Sequence, residues 1–199
     1  NAAHELRTPL AAARLRLSTA LEHGLHRDDV QAALDALQTL SRRAEKLLQL
    51  SRAESSAPLA RESVDLARLA ATVAQEFWHD DRAAERLELS IAPNGPPPVV
   101  LGDFDALAIA LRNLVENALA YGGDGAVEII AGAGPLLAVR DHGPGVDAGR
   151  LQTLRERHVR HSAARAGYGL GLSIVSTIAD KHGARLVLVS PLPDGQGGF

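Results

Sequence analysis

The sequence predicts an α+β protein in which a helical hairpin precedes an α/β sandwich. Residues 1 to about 55 carry two apolar stripes at helical spacing, separated by a short polar connection. From about residue 63 onward, short alternating segments mix with helical ones, without regular βαβ alternation. We therefore expect one domain over residues 1–57 and a second over residues 58–199, the second with one sheet and helices on one face.

The first predicted helix covers residues 1 to about 22. Its apolar side chains recur at steps of four and three, at Leu6, Leu10, Ala13, Leu17 and Leu21. Pro9 lies within this pattern and should bend the helix, because proline lacks a backbone donor and clashes with the carbonyl of the preceding turn. In the alternative interpretation, Thr8 is the N-cap and Pro9 is the first helical residue.

The second predicted helix covers residues 30 to about 55, after a polar connection over residues 23–29 in which Asp28 or Asp29 could cap it. Its stripe again steps by four and three, at Ala33, Leu37, Leu40, Ala44 and Leu47. One hairpin of this length cannot cover both stripes. We therefore expect a homodimer through residues 1–57, in which two hairpins form a four-helix bundle.

A linker with Pro and small residues over 55–61 precedes the second domain. Strands are predicted over 63–66, 87–91, 99–101, 127–131, 136–140 and 185–189, with the fourth and fifth paired as a hairpin. Helices are predicted over 66 to about 80, from a cap at Asp103 to about 120, and over 170–182, where Gly183 ends the last one.

The composition excludes several classes of protein. The net charge of -3 gives no reason to expect nucleic-acid binding, and the absence of Cys excludes disulfides and cysteine chemistry. No apolar run approaches the roughly 18 residues needed to span a bilayer. The absence of Met and the start inside a predicted helix suggest a fragment of a longer protein.

The segment from His4 to Thr8 places an imidazole, a carboxylate and a hydroxyl within about one helical turn. A neutral imidazole nitrogen is a good nucleophile toward phosphorus, and Glu5 could orient the ring or take its proton. Thr8 shares a helical face with His4 and could position a water molecule. The HExxH interpretation as a zinc site fails, because position 8 is Thr rather than His.

Two amides project from one face of the helix that follows Asp103. Asn113 and Asn117 are four residues apart. Amide oxygens suit Mg²⁺, which takes few protein ligands and leaves positions for phosphate oxygens. Taken alone, such a pair is more often solvated or used in capping.

Two glycine-containing segments follow. Asp141-His142-Gly143-Pro144-Gly145 comes directly after a predicted strand, where the carboxylate could accept a hydrogen bond from an exocyclic amine such as that of adenine. An ordinary turn would use the same residues. Gly167-Tyr168-Gly169-Leu170-Gly171-Leu172 opens a helix whose amides could cradle phosphate. Its GxGxG spacing and the lack of a preceding strand disfavour a dinucleotide fold.

Together, in this order and at this spacing, the four segments resemble the catalytic core of sensor histidine kinases. Residues 4–10 (HELRTPL) resemble the H box, 113–118 the N box, 141–145 the G1 box and 167–172 the G2 box. The resemblance implies a dimerisation and phosphotransfer hairpin, followed by an ATP-binding domain of the Bergerat (GHKL) fold shared with gyrase, Hsp90 and MutL. It also implies the cytoplasmic portion of a bacterial inner-membrane sensor, attached to the membrane only through a missing N-terminal region.

The resemblance assigns His4 as the phospho-acceptor, Glu5 as the base and Thr8 to dephosphorylation of the partner. It makes Asn117 the Mg²⁺ ligand and Asn113 a support for the triphosphate. The other assigned ATP-site residues are Tyr121 beside the nucleotide, Asp141 as the adenine-reading carboxylate, and Gly143, Gly145, Gly167, Tyr168, Gly169, Leu170, Gly171 and Leu172 in the pocket and lid hinges.

Two departures from the family pattern stand out. Ala120 occupies the position of a basic residue that often precedes the N-box aromatic, which removes one phosphate contact. In the lid between residues 147 and 167, Arg155 and His158 stand where the family usually carries two Phe. Three lid arginines could contact phosphate instead or simply be surface charges: Arg157, Arg160 and Arg165.

The resemblance thus implies autophosphorylation of His4 with ATP and Mg²⁺, then transfer to an aspartate of a response regulator receiver domain, together with phosphatase activity toward it. Two alternatives stay open. A nucleotide-binding phosphatase or scaffold with weak kinase activity would suit the departures at Ala120 and in the lid. A GHKL ATPase would need a water-activating carboxylate four residues before the metal-binding Asn, where this sequence has Asn113.

Overall fold

The computed structural model describes residues 2–23, 27–55, 58–92, 98–147, 149, 151–152, 170–191 and 198, with side chains of the first helix described for residues 9–20. The fold is α+β, as predicted, with a helical hairpin followed by mixed helices and strands. The helices are α1 Ala2–His23, α2 Arg27–Glu54, α3 Leu66–Phe77, α4 Asp81–Ala84, α5 Phe104–Tyr121 and α6 Leu170–Lys181. The strands are β1 Glu62–Asp65, β2 Leu87–Ile91, β3 Val99–Gly102, β4 Val127–Ala131 and β5 Leu137–Asp141.

The hairpin corrects two expectations about helix starts. Helix α1 runs through Pro9, so the interpretation that begins the helix at Pro9 with Thr8 as N-cap is wrong. One missing backbone donor is tolerated inside a helix of this length. Helix α2 begins at Arg27, so Asp28 and Asp29 lie in its first turn instead of capping it. Carboxylates in that turn are stabilised by the positive end of the helix dipole.

Three small residues of the two hairpin helices are buried: Ala13, Ala20 and Ala33. Part of the predicted apolar stripes stays uncovered, since Leu10, Leu17 and Leu37 are exposed, and Leu15, Leu34 and Leu48 outside the stripes are exposed as well. This is the surface on which the sequence predicts a second copy of the chain.

The described strands form two sheets, whereas the sequence predicted one. Strands β1 and β3 pair antiparallel with each other, and β2, β4 and β5 form a separate mixed sheet in that order. In the larger sheet β2 is parallel to β4, and β4 is antiparallel to β5. Alternation along a strand predicts which face is buried, but it does not identify the pairing partner. The prediction of a single sheet was therefore wrong.

The predicted hairpin of β4 and β5 is confirmed, with β5 one residue later than expected. Val127 pairs with Asp141, so Asp141 is the last residue of the strand. Helices α3 and α5 pack on this sheet through a core of fully buried side chains, among them Leu69, Val73, Leu111, Val115, Val127 and Ile129. The strand end that carries Asp141 is thereby anchored to the centre of the domain.

The predicted start of α5 and the predicted end of α6 are confirmed. Asp103 caps α5, since its Oδ1 accepts a hydrogen bond of 3.0 Å from the Ala106 N–H. Gly183 follows α6 with φ of 64°, the left-handed conformation that commonly ends a helix.

Residues 185–189 do not form the predicted strand. Leu186 and Leu188 pack with Val146, Leu151 and Leu172, while Val187 and Val189 are exposed. The alternation of apolar side chains therefore identified a segment with one buried face. The prediction of a strand was wrong because the segment buries that face against a loop and a helix without joining either sheet of the described strands.

Candidate functional site

The predicted phospho-acceptor segment lies at the start of α1. His4, Glu5 and Thr8 fall within its first turns, so the expected helical conformation of this segment is confirmed. Their side chains lie outside the described part of the structure. The proximity of the imidazole, carboxylate and hydroxyl therefore stays a prediction from helical spacing.

The two predicted amides and the second glycine segment meet in the structure. Helix α5 buries Leu111 and Val115 in the core, which turns Asn113 and Asn117 toward α6. A Cβ on Gly171 would lie 3.2 Å from both Asn113 Oδ1 and Asn117 Nδ2, and 3.3 Å from Asn117 Oδ1. Glycine at this position therefore lets the backbone of α6 approach both amides closely.

Asn113 is held by helix α2 of the hairpin. Its Oδ1 accepts a 2.6 Å hydrogen bond from Lys46 Nζ, and its Nδ2 donates to Gln49 Oε1 at 3.2 Å and to the Ile109 carbonyl at 2.8 Å. The Lys46 ammonium also pairs with the Glu116 carboxylate. The Asn113 side chain is only 1% exposed, so α2 covers one of the two predicted nucleotide-site amides.

Further contacts secure α2 against α5 and α6. Leu50 is buried with Ile174 and Ile178 of α6. The Lys181 ammonium donates a hydrogen bond to the Ser55 carbonyl just beyond α2. The Lys46 contact is thus one part of an interface that includes both apolar and polar side chains.

The donor set around Asn113 fits a magnesium ion. The described residues hold no cluster of three or more His, Cys, Asp or Glu that could bind a metal. The amide oxygens of Asn113 and Asn117, with the nearby Glu116 carboxylate, are the hard oxygen ligands that Mg²⁺ prefers. The Lys46 ammonium on Asn113 and Glu116 already shows that these oxygens attract a cation.

The predicted base-reading carboxylate lies beside the C-terminal end of α5. Asp141 is 6% exposed, and its Oδ1 accepts a 3.0 Å hydrogen bond from the Gly143 N–H. A Cβ on Gly143 would lie 2.5 Å from the Gly122 carbonyl oxygen, and one on Gly122 would lie 2.8 Å from Asp141 Cβ. The loop after β5 therefore packs directly on the end of α5 at positions where larger residues do not fit.

Gly145 is required for both conformation and space. Its φ of +69° is unfavourable for other residues. A Cβ there would also lie 2.9 Å from Ser190 Oγ and from the Gly198 carbonyl oxygen. We call the loop over residues 142–146 the G1 loop. It packs against Ser190 and Gly198, which belong to what we call the C-terminal segment, the described residues 184–191 and 198.

The remaining predicted site residues differ in placement. Tyr121 ends α5 and is 62% exposed. Leu170 packs toward the Leu50 cluster and Leu172 toward Leu188, so both side chains have packing roles. The predicted Gly167, Tyr168 and Gly169 lie outside the described residues, as do the lid positions Arg155, Arg157, His158, Arg160 and Arg165.

Two polar contacts fix α5 relative to its neighbours. His182 Nε2 accepts a 3.1 Å hydrogen bond from the Asp103 N–H, so the ring proton lies on Nδ1, which donates to the Ile178 carbonyl at 2.7 Å. Arg112 on α5 holds Glu76 on α3 through two 2.7 Å hydrogen bonds. These bonds lower the pKa of Glu76 and raise the pKa of Arg112 from their usual values.

Sequence reasoning missed Lys46, Gln49, Glu116 and Ser190. Lys46 and Gln49 are three residues apart and share a face of α2, but an isolated charge beside an apolar stripe usually indicates a solvated surface.

No described helix is long and apolar enough to cross a membrane.

Comparison with known protein families matches both parts of the chain. Residues 1–56 match the His Kinase A (phospho-acceptor) domain. Residues 102–198 match the histidine kinase-, DNA gyrase B- and HSP90-like ATPase domain.

Individual relatives are consistent with these matches. The chain is 37% identical to the swarming motility regulation sensor protein RssA of Serratia marcescens, over 100% of this chain and 44% of RssA. The chain spans about half the length of the curated relatives it matches.

Two solved structures are similar to the chain. Full-length ShkA in complex with AMPPNP is 26% identical with a TM-score of 0.58, covering 90% of this chain and 40% of ShkA. The histidine kinase ThkA, solved with the response regulator protein TrrA, has a TM-score of 0.64 at 19% identity, covering 86% of this chain and 51% of the other. The second likeness concerns the fold alone.

Proposed function

The chain belongs to the sensor histidine kinase family, and on that premise we propose that it uses ATP to phosphorylate its own His4 and passes the phosphoryl group to an aspartate of a response regulator. The observation that carries this proposal is the meeting of Asn113, Asn117 and Gly171. Three residues from two separately predicted nucleotide segments lie side by side, with the Gly171 backbone packed closely against both amides.

The described residues have separate tasks in nucleotide binding. Asp141, fixed by the Gly143 N–H, accepts a hydrogen bond from the adenine amine. The Asn117 and Asn113 amides lie about one and two turns before the C-terminal end of α5, where the triphosphate would extend away from Asp141. Magnesium held by Asn117 would neutralise phosphate charge and orient the phosphate oxygens when bound.

The proposed transfer step occurs at the imidazole of His4. The ring nitrogen attacks the γ-phosphorus, an N–P bond forms, and the bond to the bridging oxygen of ADP breaks. Glu5 takes the proton that the imidazole loses. Catalysis then depends mainly on positioning and charge neutralisation.

The described arrangement requires a movement before transfer. The Asn113 oxygen already accepts from Lys46, and the side chain is buried under α2. Contact between Asn113 and a triphosphate therefore requires α2 to separate from α5. Counted from the loop that joins α1 and α2, His4 and Lys46 are equally far along their helices. In an antiparallel hairpin they lie at roughly the same level, so α5 is docked close to the level of the acceptor.

The proposed partners follow from the same parts of the chain. The exposed leucines of α1 and α2 favour a homodimer through residues 1–57, with the catalytic ATP-binding domain in residues 58–199. The match of residues 1–56 to a phospho-acceptor domain supports a phosphorylated His4, and the receiver domain of a response regulator is the proposed recipient of that phosphoryl group. We further propose that this chain is the cytoplasmic portion of a bacterial inner-membrane sensor, which its similarity to sensor proteins supports.

A second candidate function is removal of phosphate from the regulator, with Thr8 positioning a water molecule. The observation that favours it is the occupied Asn113 amide, since the docked arrangement withholds a nucleotide ligand. Phosphatase activity and kinase activity would then belong to docked and undocked states of one protein.

The proposal is tested by phosphoryl transfer. The chain is incubated with γ-³²P-labelled ATP and Mg²⁺, freed of nucleotide, and mixed with candidate receiver domains. We expect label on the chain to move to one receiver domain within minutes, and none to reach a receiver whose acceptor aspartate is replaced by Asn. A chain that binds nucleotide, takes no label and accelerates loss of phosphate from a receiver would instead establish the second candidate.

A further inference from the structure

The G1 loop is held by hydrogen bonds to the C-terminal segment. Ser190 Oγ accepts from the Val146 N–H at 2.9 Å and donates to the Gly198 carbonyl at 2.7 Å. The Gly198 N–H donates to the Gly143 carbonyl at 2.8 Å. The Gly143 N–H in turn donates to Asp141 Oδ1. A continuous chain of hydrogen bonds therefore joins the Ser190 hydroxyl to the Asp141 carboxylate.

The geometry leaves the loop little freedom to compensate for a lost hydroxyl. A Cβ on Gly145 would lie 2.9 Å from both Ser190 Oγ and the Gly198 carbonyl oxygen, so loop and segment are in close contact. Ser190 is half-buried. Removing its hydroxyl would leave the Val146 N–H and the Gly198 carbonyl without this partner, and a partly buried group that loses its partner is costly.

Separate apolar contacts hold the segment in place. Leu188 is buried with Leu151, and Val146 and Leu172 pack against the same cluster. Because these contacts do not involve the Ser190 hydroxyl, its loss should alter the G1 loop without unfolding the segment. The effect of the hydroxyl can therefore be separated from that of the fold.

We propose that Ser190 is a positioning residue for base recognition: its hydroxyl fixes the G1 loop so that Asp141 presents its carboxylate to the adenine amine. The inference rests on the proposed function, because it assumes that Asp141 faces the base. Ser190 itself does not touch the nucleotide. Its influence passes through Gly198 and Gly143 to the loop N–H that orients Asp141.

The test compares Ser190→Ala and Ser190→Thr with the wild type by titration with Mg·ADP and Mg·GDP. We expect Ser190→Ala to weaken ADP binding about tenfold, the effect of about one hydrogen bond, and GDP binding less than twofold. Guanine has a carbonyl oxygen at C6 where adenine has its amine and cannot donate the hydrogen bond that Asp141 accepts, so its binding does not gain from that orientation of the carboxylate. Ser190→Thr keeps a hydroxyl and should bind ADP within twofold of the wild type.

Kinetics and a control variant complete the experiment. In autophosphorylation, Ser190→Ala should raise KM for ATP about tenfold and change kcat less than twofold, a split that general destabilisation would not produce. Ser63→Ala on β1, an exposed serine, should match the wild type. Three results would each overturn the inference. Ser190→Ala could weaken the binding of ADP and GDP equally, or leave ADP binding unchanged. Ser190→Thr could also fail to restore ADP binding. A wild type that binds neither nucleotide would contradict the proposed function itself.

Discussion

The Lys46 ammonium on α2 donates a 2.6 Å hydrogen bond to Oδ1 of Asn113 on α5. It joins the helical hairpin to one of the two amides predicted to contact nucleotide. Because the same ammonium pairs with Glu116, it neutralises a carboxylate and occupies an amide oxygen at once. A cation from the hairpin thus occupies oxygens that suit a magnesium ion.

Lys46→Ala should tighten the binding of Mg·ADP by about threefold to tenfold. A hydrogen bond from a charged group contributes about 1.5–3 kcal/mol, and partial exposure of the pair reduces this by screening. Titration of the variant measures the change directly. Arg42→Ala is a matched control, since Arg42 lies one turn earlier on α2 and donates to Gln38 of the same helix. Weaker nucleotide binding by Lys46→Ala would show that Lys46 assists the nucleotide and does not compete with it.

Gly171→Ala should weaken Mg·ADP binding by about tenfold or more while leaving the domain folded. The added Cβ would lie 3.2 Å from Asn113 Oδ1 and Asn117 Nδ2, tighter than an ordinary contact, and would displace the two amides that are proposed to bind nucleotide. Alanine also favours a helix over glycine by about 0.8–1.0 kcal/mol, so thermal stability should not fall by much. Titration and thermal unfolding are measured on the same sample. Unchanged nucleotide affinity would place the nucleotide away from Gly171.

The Glu76–Arg112 pair predicts a small loss of stability in acid. The pKa of Glu76 is lowered from its usual 4.5 by hydrogen bonds from Arg112. A carboxyl whose pKa is lower in the folded state stabilises the fold above its unfolded pKa. That contribution is lost as the pH falls below 4.5 through the folded value.

Urea unfolding of the wild type and Glu76→Gln at a series of pH values tests this prediction. Glu76 is 44% exposed, so the variant should lose only about 0.5 kcal/mol at neutral pH. The difference between the two proteins should disappear in acid. A difference that is constant across the acidic range would show that the ion pair is not its cause.

The sequence predicted most helices and the shared helical face of the two site amides. Apolar stripes predicted α1 and α2 with ends close to those observed, and the boundary residues Asp103 and Gly183 correctly marked the start of α5 and the end of α6. The spacing of Asn113 and Asn117 predicted two amides on one helical face. These features depend on neighbours within a few residues along the chain.

Contacts between distant segments escaped prediction. Lys46 and Asn113 are 67 residues apart, and Val146 and Ser190 are 44 apart. An isolated Lys or Ser carries no local signal of such a partner. The same limit explains why two predictions were wrong: the strand over residues 185–189 and the single sheet. Alternation identifies a buried face but not what covers it.

The central claim is that His4 accepts the phosphoryl group from ATP, and it is tested most directly by labelling the wild type and His4→Gln with γ-³²P-labelled ATP and Mg²⁺. His79→Gln is the matched control, since His79 is an exposed histidine after α3. We predict acid-labile, alkali-stable label on the wild type and on His79→Gln, and none on His4→Gln that still binds Mg·ADP like the wild type. Equal labelling of His4→Gln and the wild type would contradict the account.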